Sequence, residues 1–348
     1  MAAGDLARKG YDVHVFVPLL PWYYYFVSLG KHPLRWLRYV WPHLIGCIQE
    51  RRFSFHEMLS DDETHQRVRT KFVLRKASTN HLRKMDYLVL ISVEQMTYYR
   101  DRFPQEKQIY LLLHPEERVH ANGDLFTKLR KSFRGKTLVV SPVIAQEVSD
   151  HIIDLEVVPI PVSPVLWDQR SKFDPSANRK DILLSWKDQA HGTAGSEIIR
   201  ALTAMRPETT FTVWCTVPSI SSGVEKELPG ATIVEGLNEV ELGNLYLNHS
   251  MLIYPSTYEG FGMPPIEALA CGCIPVLHPR VGAAELYARD GENSVHLSED
   301  PQSTASRIAG ILDNAETLIT MRKHAPQSIN EFDPLGYGER ILAAAGAL

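Results

Sequence analysis

Short apolar runs alternate with longer amphipathic stretches along most of the chain. Runs of strand length occur at 87–92 (YLVLIS), 108–113 (QIYLLL), 137–141 (TLVVS) and 155–160 (LEVVPI). A second series follows at 181–185 (DILLS), 210–216 (TFTVWCT), 231–235 (ATIVE), 251–254 (MLIY), 273–277 (CIPVL) and 294–297 (SVHL). These runs are continuous rather than alternating, as expected of parallel strands covered on both faces. Helical stretches between them predict two doubly wound α/β domains. The prolines of 159–164 (PIPVSP) favour an extended link and mark the boundary. At the start, Met1–Lys9 reads as an amphipathic helix closed by Gly10, followed by a strand from Asp12 to Pro18. That order is the second half of a βαβ unit. It leads us to expect an apolar strand and a Gly-rich turn ahead of Met1.

Length and composition fit this picture. At about 150 residues per domain, 348 residues make roughly two domains. Hydrophobic residues at 44% and charged residues at 22% exclude a disordered chain. Four cysteines are too few for a disulfide scaffold, and Cys271 and Cys273 lack the two-residue spacer of a zinc or redox pair. A reducing, cytoplasmic compartment fits. No apolar run is long enough to span a bilayer.

Charge separates the halves. Residues 1–163 hold 23 Lys and Arg against 18 Asp and Glu, and residues 164–348 hold 14 against 23. A basic half could meet anionic lipid or nucleic acid, but no nucleic-acid motif or lysine-rich tail appears. Within 20–60 lie Trp22-Tyr-Tyr-Tyr-Phe26 and Arg35-Trp36-Leu-Arg38-Tyr39-Val-Trp41. Trp and Tyr flanked by Arg suit a peripheral membrane surface, and suit a domain core with a solvated face equally well. The basic balance leans toward membrane contact.

The richest chemistry lies in 254–276 (YPSTYEGFGMPPIEALACGCIPV). A strand ends at Tyr254, and a loop carries Glu259, Gly260 and Gly262. Pro264 and Pro265 suit the first turn of a helix through Ile266–Ala270, and Gly272 ends it. A glycine-bearing loop thus feeds a helix N-terminus at the carboxyl end of a parallel strand, where N–H groups and the helix dipole hold phosphate. Glu267, inside the first turns, is electrostatically poor beside a diphosphate unless it accepts from neutral hydroxyls such as a ribose. A lone glutamate on a helix is ordinarily solvated, and here the surrounding loop argues for a ligand. Glu259 could accept from hydroxyls of a second sugar.

EGFGMPPIEALACGCIPV resembles the signature of the retaining GT-B glycosyltransferases of family 4. Gly282-Ala-Ala-Glu285 and Gly291-Glu-Asn293 are similar to further family motifs, as are Gly236-Leu237, Leu245-Tyr246 and Tyr254-Pro-Ser256. The resemblance is strong over 231–297 and loose in the first half. It implies two Rossmann-like domains facing a cleft: an acceptor-binding domain over 1–163, a donor-binding domain over 164–325, and a C-terminal helix in 326–348 returning to the first. It further implies that Glu267 binds the ribose of a nucleoside-diphosphate sugar and that Glu259 contacts the transferred sugar. The backbone from Gly260 through Phe261 and Gly262 to Met263 would lie against sugar and diphosphate, and that of Leu237 would line the base pocket. The family's Arg and Lys, which neutralise the leaving diphosphate, correspond loosely to Lys187 and His191 in SWKDQAHG. Lysine lacks the bidentate fork, and His191 is cationic only with a raised pKa. His114, after the strand at 108–113, would face sugar or acceptor, with Glu116 a weaker candidate. Ser141-Pro142 aligns with the family without carrying chemistry. Pro159-Ile-Pro-Val162 replaces the family's usual hinge.

Together these readings give a retaining glycosyltransferase, acting on a saccharide or lipid-linked saccharide in polysaccharide synthesis. No metal or other cofactor is implied, since GT-B enzymes use a helix N-terminus and basic residues instead. Two alternatives stay open. One is a catalytically silent glycosyltransferase-like binding subunit. The other is a nucleotide-sugar epimerase on the same scaffold, which would draw its acid and base from Glu116 and Glu117.

Overall fold

A computed structural model describes residues 2–18, 68–73, 85–91, 95, 99, 101–112, 131–152, 154–177, 179–216 and 221–346. The chain divides into two compact units. The first comprises Met1–Val139, Ala145–Val158 and Leu335–Leu348, and the second Val140–Ile144 and Pro159–Pro334. The aromatic segment 20–60 and the loop carrying His114, Glu116 and Glu117 lie outside the described residues. Among the described residues, no helix is long and apolar enough to cross a membrane.

The first unit opens with the helix Ala2–Arg8 and strand β1 (Val13–Pro18), which pairs in parallel with β2 (Val68–Val73), Val13 opposite Val68. The sequence reading missed β2. Its VRTKFV places Arg69 and Lys71 among apolar residues, so it has no continuous apolar run. Four further strands, β3 (Leu88–Leu90), β4 (Gln108–Leu112), β5 (Lys136–Val139) and β6 (Leu155–Val157), form a second parallel sheet in that order. β4 is buried along its whole length. Gln108 donates from Nε2 to the carbonyls of Phe103 (2.6 Å) and Tyr99 (3.1 Å), which satisfies the two N–H groups of its buried amide.

The helix Tyr337–Ala344 packs on the first helix of the chain. Asp5, 2% exposed, accepts from the N–H groups of Gly336 and Gly338, each at 3.0 Å. A Cβ on Gly338 would stand 2.4 Å from Leu6, so only glycine permits this approach. Lys9 pairs with Glu339 alongside.

The second unit is built on strands β7 (Lys180–Trp186), β8 (Phe211–Cys215), β9 (Thr232–Glu235), β10 (His249–Tyr254), β11 (Ile274–Leu277) and β12 (Val295–His296). All pair in parallel, in the spatial order β12-β11-β10-β7-β8-β9. The first strand therefore lies at the centre, and the chain reverses direction across the sheet between β7 and β10. In doubly wound sheets that switch point is where ligands bind, beyond the carboxyl ends of the strands. Ile182, Leu184, Val213, Ile253 and Val276 join a core sealed by the helices Gln189–Met205 and Pro301–Leu312. A Cβ on Gly192 or Gly195 would fall 2.1 Å from Trp186 or 2.3 Å from Leu184, so both glycines let the helix Gln189–Met205 seat closely on β7.

Candidate functional site

The residues following β7 and β10 converge at the switch point. Lys187, the first residue after β7, donates from Nζ to Oε1 of Glu259 at 2.8 Å. Tyr254, the last residue of β10, donates its hydroxyl to the same oxygen at 2.8 Å, and Ser256 does so at 2.9 Å. Burial alone would raise the Glu259 carboxyl pKa. The three hydrogen bonds and the lysine charge outweigh burial and hold it below the usual carboxylate range.

Glu259 leads into a loop of unusual backbone. Gly262 has φ +82° and caps the helix Met263–Ala270. Gly282 passes so close that a Cβ there would lie 2.1 Å from the Phe261 carbonyl oxygen, which accepts from Ala283 N–H at 2.8 Å. The Gly260 carbonyl accepts from Ser141 Oγ at 2.6 Å, and the same hydroxyl accepts from Ile144 N–H at the start of the helix Pro142–Val148. Ser141, which the sequence reading gave no chemistry, thus anchors the loop. The Phe261 ring is 5% exposed and lies edge-on to Phe332, so its side chain belongs to the core and only its backbone faces the loop. The helix begins one residue before its prolines, at Met263. With Pro264 and Pro265 in the first turn, Gly262 and Met263 carry the N–H groups this terminus offers an anion.

Glu267 lies one turn further in and accepts from the Tyr246 hydroxyl at 3.2 Å. The residue keeps a partly accessible edge, but its carboxyl group is desolvated. Burial drives its pKa up to about 7, against the lowering effect of the Tyr246 hydrogen bond, and Glu239 adds to the rise. Leu237 follows Gly236, a φ +65° glycine with open space around it. Both precede the helix Glu239–Leu247, held by a capping box in which Glu241 N–H donates to Asn238 (3.0 Å) and Asn238 N–H to Glu241 (2.9 Å).

His191 is brought close but not as a cation. It sits in the first turn of the helix Gln189–Met205, its N–H bound by the capping carboxylate of Asp188 at 2.9 Å. Its ring is buried edge-on to Tyr254, with centroids 5.4 Å apart. Burial pushes the imidazole down to about 4, so it is neutral at pH 7. Lys187, with its side chain 48% exposed, is therefore the cation beside the loop among these candidates. His114 lies outside the described residues. The hydroxyls of Tyr246, Tyr254 and Ser256 are contacts the sequence reading did not assign, although their residues stood in the motifs it quoted.

Comparison with known proteins bears on the fold and on part of the chain. Residues 225–328 match the family described as glycosyl transferases group 1. A D-inositol 3-phosphate glycosyltransferase of Catenulispora acidiphila is 31% identical over 100 residues, covering 28% of this chain and 23% of that protein. One from Corynebacterium efficiens is 33% identical over 93 residues, 26% of this chain and 22% of that protein. The matched stretch thus spans less than a quarter of these relatives' length. Among solved structures, sucrose-phosphate synthase from Thermosynechococcus elongatus superposes with a TM-score of 0.63 at 16% identity, over 98% of this chain and 90% of that one. The Anabaena protein HepE in complex with UDP gives 0.66 at 14% identity, over 85% and 90%. The chain has the GT-B fold of these proteins, and its residues 225–328 are similar to the glycosyl transferases group 1 family.

Proposed function

We propose that the protein is a retaining glycosyltransferase that moves a sugar from a nucleoside-diphosphate sugar to a saccharide or lipid-linked saccharide acceptor. One observation carries the reading. Lys187 and Glu259, 72 positions apart in sequence, meet at 2.8 Å at the switch point of the sheet, beside a glycine loop and a helix N-terminus. In this reading Glu267 accepts from the ribose hydroxyls, and Glu259 accepts from hydroxyls of the sugar. Lys187 turns from Glu259 to the diphosphate, where the N–H groups of Gly262 and Met263 add to it. Charge placed on the departing diphosphate stabilises the transition state more than the ground state. His191, neutral and buried, supports Tyr254 and carries no phosphate charge.

The single lysine, where two cations were expected, favours one second reading: a glycosyltransferase-like subunit that binds donor without turnover. A thermal-shift screen of UDP-, GDP- and ADP-sugars, followed by product analysis, tests both. A donor at 100 times its Kd raises stability by about 2.7 kcal/mol. We expect binding, slow donor hydrolysis, and an α-linked product from an α-linked donor by proton NMR. A β-linked product overturns the retaining assignment. Binding without hydrolysis or transfer selects the second reading, and no binding by any donor removes both.

A further inference from the structure

Three buried tyrosines surround the loop and helix from Glu259 to Glu267, and each sends its hydroxyl to a different point of it. Tyr254 reaches Glu259 at 2.8 Å, Tyr287 reaches the Gly262 carbonyl at 3.4 Å, and Tyr246 reaches Glu267 at 3.2 Å. They come from three separate elements: the end of β10, the helix Ala284–Tyr287 and the helix Glu239–Leu247. Each ring is itself held by an edge-on aromatic partner. Tyr254 meets His191 at 5.4 Å, Tyr287 meets Phe332 at 5.9 Å, and Tyr246 meets Trp214 at 6.0 Å. All three rings are at most 3% exposed. Such side chains have few rotamers and lose little entropy on ordering, so they fix what they touch.

We propose that Tyr246 and Tyr254 are positioning residues, Tyr246 orienting Glu267 toward the nucleoside of the donor and Tyr254 orienting Glu259 toward its sugar. This rests on the donor-binding reading above and adds the division of labour. A carboxylate in a pocket has two oxygens and several lone pairs to satisfy. The tyrosine takes one oxygen of each glutamate, Oε2 of Glu267 and Oε1 of Glu259. The remaining oxygen is then left turned to the ligand in one rotamer rather than several. Trp214 and His191 act one step further back, by fixing the rings.

Tyr246→Phe and Tyr254→Phe remove one oxygen each and keep the ring packing. By calorimetry with UDP, Tyr246→Phe is expected to weaken binding roughly tenfold, while Tyr254→Phe leaves it within about twofold. In donor turnover, Tyr254→Phe lowers kcat with KM little changed. Combining Tyr246→Phe with Glu267→Gln weakens UDP no further than Glu267→Gln alone, since both act through one contact.

A ligand-free readout accompanies these. The titration of Glu267, followed by carboxyl-carbon NMR, moves upward in Tyr246→Phe, because the lost hydrogen bond favoured the ionised form. Charged and titratable groups facing Glu267 are Glu239, Cys271, Tyr287 and Tyr254 besides Tyr246, and the substitution leaves all but Tyr246 in place. If the unaltered chain binds UDP while Tyr246→Phe matches it in affinity and in the Glu267 midpoint, the Tyr246 assignment is overturned. Unchanged kcat in Tyr254→Phe overturns the assignment for Glu259. If the unaltered chain binds none of UDP, GDP and ADP, the donor reading fails and takes the positioning role with it. Should Tyr246→Phe not fold, Tyr254→Phe carries the same test through Glu259.

Discussion

Glu267 and Glu259 lie on one loop-and-helix segment and are held in opposite protonation tendencies. Glu267, with its pKa raised to about 7 by burial, binds a proton in the folded chain that it has lost in the unfolded chain above the ordinary glutamate value. Its stabilising contribution is therefore fully present below about pH 4.5 and is lost as pH rises through about 7. At 1.36 kcal/mol per unit, the loss reaches about 3 kcal/mol. Glu267→Gln should remove this slope. We expect the variant to match the parent near pH 4.5 and to be more stable at pH 8, as read by thermal unfolding across pH. Equal pH slopes in the two proteins would show that Glu267 is not proton-linked to folding. Glu259 behaves the other way, since its depressed pKa favours the carboxylate that Lys187, Tyr254 and Ser256 hold. That grip also occupies the lysine. Glu259→Gln should free Lys187 and tighten UDP, by up to about fivefold for a half-exposed ion pair, while sugar turnover falls. Weaker UDP binding in this variant would mean that Lys187 is not the diphosphate ligand.

Among the elements, the loop between β10 and the helix Met263–Ala270 is held by backbone contacts as well as by the side chains of Ser256, Glu259 and Phe261. Gly282, with φ +55°, lets the following turn pass against the Phe261 carbonyl. Gly282→Ala adds a left-handed strain of about 1 kcal/mol or more and drives a methyl group into that carbonyl. It should lower the melting temperature and abolish UDP binding together. Retained UDP affinity at reduced stability would show that the loop does not need this support. Much of this element was legible beforehand. Pro264 and Pro265 announced the first helical turn, and Gly260 and Gly262 marked the loop that leads into it. The two glutamates were marked by their setting. The tyrosine hydroxyls were not legible, because no motif spacing says that the loop folds Glu259 back onto Tyr254 or that the helix Glu239–Leu247 turns Tyr246 toward Glu267. His191 illustrates the converse. Its position suggested a cation, but the ring is buried edge-on to Tyr254, and no local spacing signals that. β2 escaped for a simpler reason, since its lysine and arginine broke the apolar run.

On the scale of the whole molecule, the chain passes between its two units at Val139, Ile144, Val158 and Pro334. Its described ends meet in the first unit, where Asp5 bridges Gly336 and Gly338 across more than 300 residues of sequence. Asp5→Ala leaves the buried N–H of Gly338 and the half-buried N–H of Gly336 without this acceptor, at about 1–3 kcal/mol. Hydrogen exchange should then quicken in the helix Tyr337–Ala344 and in Ala2–Arg8 together, while the strands of the second unit keep their protection. Unchanged exchange in the last helix would mean that this bridge does not hold it.

Cys215, Cys271 and Cys273 bear on how the second unit opens. All three are free thiols no more than 1% exposed, and burial pushes each thiol pKa upward, so reagents find neither access nor thiolate. Cys215 closes β8, whereas Cys271 and Cys273 flank the turn after the helix that carries Glu267. Labelling rates at these sulfurs therefore time two distinct breathing motions. A bound nucleotide that slowed alkylation at Cys271 and Cys273 more than at Cys215 would localise its grip to that helix, in a measurement needing neither acceptor nor turnover.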